Sequence, residues 1–132
     1  MKLEDLVPPP ELCKQIPEGA FADSALVWYR ATISGDYVVL PRLYKNVDAA
    51  RTVAPAPTLA EILEALPTSI TGEKNCRFYL RLFDFRLVPK GYWQVGYAHV
   101  GLGRVILAKG QHKCSPTNPA TAALELWMEV CK

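Results

Sequence analysis

The chain has 132 residues, of which 50% are hydrophobic and 21% charged, and a formal charge of +2. This length and balance suit one core and one domain over residues 1–132, and they exclude a disordered or low-complexity chain. Arg, Lys, Asp or Pro interrupts every apolar stretch well short of the roughly 20 residues of a membrane-spanning helix. Residues 1–10 carry acids and prolines where a signal peptide has its apolar stretch, so the expected location is the cytoplasm, away from any membrane.

In chain order, Glu11 to Ile16 reads as a short helix, with Pro10 preset for its first turn and Pro17 ending it. Ala25 to Ile33 alternates, with Val27, Tyr29, Ala31 and Ile33 on one face and Trp28, Arg30 and Thr32 on the other, which predicts a half-buried strand. Ser34-Gly35-Asp36 is a turn signal and Tyr37 to Leu40 a second strand, so the pair predicts a hairpin that Pro41 terminates or places at an edge. Residues 46–57 read as a loop.

Thr58-Leu59-Ala60-Glu61 has the form of a capping box, and Leu59, Ile62, Leu63 and Leu66 recur at helical spacing until Pro67. Arg77 to Leu87 then forms an apolar strand whose phase switches: Phe78, Leu80 and Leu82 share one face, Phe83, Phe85 and Leu87 the other. Either the strand is central and covered on both faces at different points, or, the preferred reading, a bulge or bend near Leu82-Phe83 reverses its facing. Turns at Pro89-Lys90-Gly91 and Gly101-Leu102-Gly103 separate that strand from Tyr92–Val100 and Arg104–Lys109, a three-strand meander. Asn118-Pro119 supplies an N-cap and a first-turn proline for a closing helix whose apolar face runs through Ala120, Ala123, Leu124, Trp127 and Cys131. The order α-β-β-α-β-β-β-α predicts an α+β fold with an antiparallel sheet of about five strands and helices mainly on one face.

Chemistry-bearing motifs are sparse. Cys13, Cys76, Cys114 and Cys131 lack the paired spacing of a metal knuckle or redox motif, and free buried thiols are the expectation. His112 and Cys114 are the one close pair of potential ligands, in what reads as a loop after the last strand. His99 or His112 meeting Cys76, Cys114, Cys131 or Asp84 would require the fold to join them. Asp84 and Arg86 read as a local salt bridge. Neither a metal nor a cofactor is expected, and no catalytic residue is assigned.

Charge is distributed unevenly. Between Thr68 and Thr117 eight bases, Lys74, Arg77, Arg81, Arg86, Lys90, Arg104, Lys109 and Lys113, face two acids, Glu73 and Asp84, which makes the segment +6 and the remainder −4. Arg77, Tyr79 and Arg81 alternate opposite the apolar phase of their strand. With Lys90, Lys109 and Lys113 they form a candidate surface for phosphates and stacked bases. Trp28, Trp93 and Met128 form the candidate surface for a protein partner or self-association. From Thr58 onward the order α-β-β-β-α is that of double-stranded RNA-binding domains, but residues 115–123 lack the basic cluster those domains place at the start of the last helix.

Three blocks, Glu11 to Lys14, Ala56-Pro57-Thr58-Leu59-Ala60-Glu61-Ile62-Leu63-Glu64-Ala65-Leu66-Pro67 and Asn118 to Trp127, resemble recurring blocks of small uncharacterised proteins from phages, prophages and Bacteroides-type bacteria. The resemblance implies a small bacterial α+β domain of phage-related type. It carries no activity and no site residue. The sequence therefore leaves three readings: first a non-enzymatic protein-interaction or self-assembly module, as the alternative a nucleic-acid or polyanion-binding module using the basic meander of residues 74–113, and last an enzyme whose pocket joins His99 or His112 to Cys76, Cys114 or Asp84.

Overall fold

The structure is a computed structural model that describes residues 2–31, 33–42, 52–72, 75–87, 91–101, 104–116 and 118–131; the side chains of 100, 101, 104, 105, 107 and 109–111 lie outside the description. After a 3-10 turn at Leu3–Leu6 come α1 (Pro10–Cys13), β1 (Leu26–Arg30), β2 (Tyr37–Pro41), β3 (Thr52–Pro55), α2 (Leu59–Ala65), β4 (Ser69–Thr71), β5 (Arg77–Asp84), β6 (Trp93–Gly101), β7 (Arg104–Ser115) and α3 (Pro119–Val130). The fold is α+β, with two antiparallel sheets ordered β2-β1-β3 and β4-β5-β6-β7.

The expected single sheet of about five strands is therefore corrected to a three-stranded and a four-stranded sheet. Two strands that the sequence did not reveal complete separate sheets: β3 pairs with β1 beside the β1–β2 hairpin, and β4 pairs with β5 of the meander. Strand β3 falls inside the stretch read as a loop, and its four residues, ending on Pro55, are too short to alternate visibly. Strand β4 has only three residues.

The central position of β1 also explains its burial. Leu26, Val27, Trp28 and Tyr29 are all buried, so the strand is covered on both faces and the half-buried reading fails. Leu26 and Trp28 join the main core. The β1–β2 hairpin forms as expected, with Gly35 at φ 73° supplying the left-handed turn residue.

Both expected helix caps are present. Thr58 Oγ1 accepts the Glu61 N–H at 3.4 Å and Glu61 Oε1 accepts the Thr58 N–H at 2.9 Å. Asn118 Oδ1 accepts the Thr121 N–H at 2.8 Å, and Pro119 opens the helix. Helix α3 packs on β6, β7 and α2, and its Leu124, Leu126 and Trp127 meet Val95, Tyr97, Ile62 and Leu66 in one core. The Tyr97 hydroxyl donates to the Pro67 carbonyl at 2.7 Å, joining the sheet to the end of α2. Among the described residues no helix is long and apolar enough to cross a membrane.

Strand β5 carries no bulge. Its register against β6 runs unbroken from Tyr79↔Ala98 to Asp84↔Trp93. The phase switch has another cause: Phe78 and Leu80 pack against the core, while Phe83 and Phe85 build a separate ring cluster with Tyr92 on the other face. The register shift occurs instead between β6 and β7, where the partner changes from His112 to Leu107 as β6 advances from Gly96 to Ala98.

Candidate nucleic-acid interface

Because side chains alternate along a strand, pairing register assigns the paired residues with described side chains to one face or the other. Leu80↔Tyr97 and Leu82↔Val95 lie on the face covered by α3. Arg77, Tyr79, Arg81 and Phe83 lie on the opposite face, with Ser69 and Thr71 of β4, Gln94, Gly96 and Ala98 of β6, and His112 and Cys114 of β7. Ala98 is buried yet stands outside the core cluster, as expected for a small residue flooring this outer face.

The outer face has a definite chemical pattern. Tyr79 is 47% exposed and stands between the exposed Arg77 and Arg81, about 7 Å from each along the strand. Among the described residues neither arginine is ion-paired; the two salt bridges there are Arg86–Asp84 and Lys113–Glu129. Arg81 Nη1 reaches only the carbonyl of its neighbour Leu80, at 3.5 Å. No ion pair among the described residues ties either arginine to an acidic helix. Farther along the same row, the Phe83 and Phe85 rings lie 5.8 Å apart at 18°, and Phe85 and Tyr92 lie 5.3 Å apart at 44°.

One residue grouped with this surface by sequence lies elsewhere. Lys113 is opposite Val95, on the helix face, and its Nζ donates to Glu129 Oε1 at 3.0 Å. The register shift is the cause: position 107 pairs with the outer-face Ala98, and counting by twos from there would have put Lys113 on the outer face. Lys74 and Lys90 lie outside the described residues, as does the side chain of Lys109.

The residues chosen for protein contact are also redistributed. Trp28 is buried, with its Nε1–H donating to the Pro8 carbonyl at 3.0 Å, so it belongs to the core and offers no surface. Trp93 is half-buried beneath the Arg86 guanidinium, 4.4 Å from its ring centroid. That guanidinium also donates to both Asp84 carboxylate oxygens, at 2.9 and 2.8 Å, which holds the Asp84 carboxyl below the usual carboxylate range. Met128 is half-buried and lines a shallow groove with Leu12, Gln15 and Glu125.

No nucleophilic centre assembles from the candidate His and Cys residues. His112, Lys113 and Cys114 belong to β7 and not to a loop. His112 and Cys114 do share the outer face, and His112 Nδ1 lies 3.4 Å from Gln94 Nε2. Partial burial nonetheless raises the Cys114 thiol pKa, outweighing the hydrogen bond to Gln94 that lowers it, so the thiol is stabilised in its protonated form. His99 belongs to the helix face, edge-on to Phe78 at 6.1 Å. The expectation of buried thiols holds for Cys13 alone: Cys76, Cys114 and Cys131 are exposed, and partial burial raises the Cys131 thiol as well. Among the described residues no group of three His, Cys, Asp or Glu side chains could hold a metal ion.

Sequence reasoning missed the Phe83–Phe85–Tyr92 cluster as part of this face. Its signal was present, since Phe83 and Phe85 share parity with Arg77, Tyr79 and Arg81, but the inferred bulge assigned them to the core. No family model, curated protein or solved structure matches the chain.

Proposed function

We propose that this protein is a non-enzymatic nucleic-acid-binding module whose ligand lies across the outer face of the four-stranded sheet. The observation that carries the reading is Tyr79, 47% exposed between Arg77 and Arg81, neither of them ion-paired among the described residues. Phosphates take the guanidiniums by charge-assisted hydrogen bonds, and the phenol ring offers a π-face to a base. Anisotropy of labelled single-stranded and duplex oligonucleotides, at low and moderate salt, tests it. Salt-sensitive binding lost in an Arg77→Glu, Arg81→Glu double variant supports the reading; no binding by the wild-type protein even at low salt removes it.

One observation favours a second reading, self-association or binding of a protein strand. Strand β7, 12 residues long, forms one edge of its sheet, and Ile106 on it is 51% exposed. Such an edge can pair with another chain. Light scattering across a concentration series tests it, and a monomer at every concentration counts against self-association.

A further inference from the structure

We infer that the outer face selects single-stranded over duplex nucleic acid, with Tyr79 and the Phe83–Phe85–Tyr92 rings acting as stacking positions for unpaired bases. The inference rests on the nucleic-acid reading above and names the ligand class of that same face.

The row along β5 is Arg77, Tyr79, Arg81 and Phe83, every second residue of one strand, and Phe85 continues it beyond the strand's end. At about 3.4 Å of rise per residue, Tyr79 and Phe83 stand about 14 Å apart, with Arg81 midway. Base contacts therefore alternate with a phosphate contact along an extended path. Gly96 and Ala98, buried small residues on β6, floor the row opposite Arg81 and Tyr79.

Base accessibility decides between the two forms of ligand. The described outer face holds two unpaired cations, Arg77 and Arg81, because Arg86 is committed to Asp84 and Lys113 to Glu129 on the other face. Arg77 and Arg81 attract the phosphates of either form, so selection between the forms falls to stacking. Stacking requires exposed base faces. Paired bases in a duplex have theirs occupied by neighbours, and the major groove admits a helix or a two-stranded ribbon, not the face of a four-stranded sheet.

The test uses three labelled probes of about a dozen nucleotides: a mixed-sequence single strand, its duplex, and an abasic oligodeoxynucleotide of equal length that keeps the phosphates and lacks the bases. The single strand should bind about tenfold or more tightly than either other probe. Tyr79→Ala should weaken single-strand binding about tenfold and leave abasic binding unchanged. Tyr79→Phe should retain wild-type binding. Phe85→Leu, which keeps apolar volume and removes the flat ring, should also weaken the single strand alone.

Equal binding of the single strand and the abasic probe, unchanged by Tyr79→Ala, overturns the stacking inference while leaving the arginine face intact. Equal or tighter duplex binding overturns it as well. Failure of all three probes at low salt overturns the nucleic-acid reading and this inference with it. Thermal melts of each variant confirm that the exposed Tyr79 position tolerates truncation.

Discussion

The Trp28 indole N–H and the Cys13 thiol converge on one acceptor, the carbonyl of Pro8, at 3.0 and 3.5 Å. This contact pins the segment before α1 onto the central strand of the three-stranded sheet, with Val7, Cys13 and Trp28 all buried. Trp28→Phe keeps the aromatic body and deletes the donor, so the buried carbonyl keeps only a weak thiol partner. The expected cost is roughly 1–3 kcal/mol, read as a lower urea midpoint with an unchanged slope. An unaltered midpoint would sink the claim that this hydrogen bond anchors the amino-terminal segment.

Trp28 also marks where the sequence stopped being readable. Alternation in Ala25–Ile33 predicted a strand, but not that both of its edges and both of its faces would be occupied, because those depend on β2, β3 and the core together. Features set by near neighbours were legible: the Thr58 and Asn118 caps, the turn at Gly35 and the Asp84–Arg86 pair. The Arg77, Tyr79, Arg81 row was legible for the same reason, since parity within one strand is a local property. The side occupied by Lys113 was not, because it turns on a register shift between β6 and β7 that no local pattern records.

Glu61 serves two elements at once. Its Oε1 accepts the Thr58 N–H in the capping box, and its Oε2 accepts the Ala25 N–H at 3.0 Å, just before β1. Thr58→Ala removes one half of the cap and should cost about 1 kcal/mol. Glu61→Ala removes acceptors from both amides, and hydrogen bonds to a charged group contribute roughly 1.5–3 kcal/mol. Urea denaturation should therefore rank Glu61→Ala below Thr58→Ala. The reverse order would show that the link from α2 to β1 adds nothing.

Alkaline pH should weaken the fold through Cys13. Burial pushes its thiol from 9.0 up to about 12, more than the Trp28 contact lowers it. The unfolded chain releases this proton near pH 9 whereas the folded chain retains it, so the contribution is complete below about pH 9 and is lost as pH rises toward 12. The loss should reach roughly 2–4 kcal/mol over that window. Tyr97, raised by burial from 10.0 to about 12, acts in the same direction at the upper end. Cys13→Ala should flatten the fall of the urea midpoint between pH 8 and pH 10.5; a parallel fall would assign the effect to other groups. At pH 8 an aromatic disulfide reagent should label Cys76, Cys114 and Cys131, all exposed, before Cys13.

Arg81 and Lys113 allow the proposed face to be separated from general electrostatics. Arg81→Gln and Lys113→Gln each lower the net charge by one, yet Arg81 belongs to the outer face and Lys113 to the helix face, paired with Glu129. If the ligand lies along the β5 row, Arg81→Gln should weaken single-strand binding and reduce the slope of log K against log salt by about 0.7, the value of one phosphate contact. Lys113→Gln should leave both affinity and slope near wild type. Equal effects of the two substitutions would mean that binding follows overall charge, and the outer face would lose its claim to be the site.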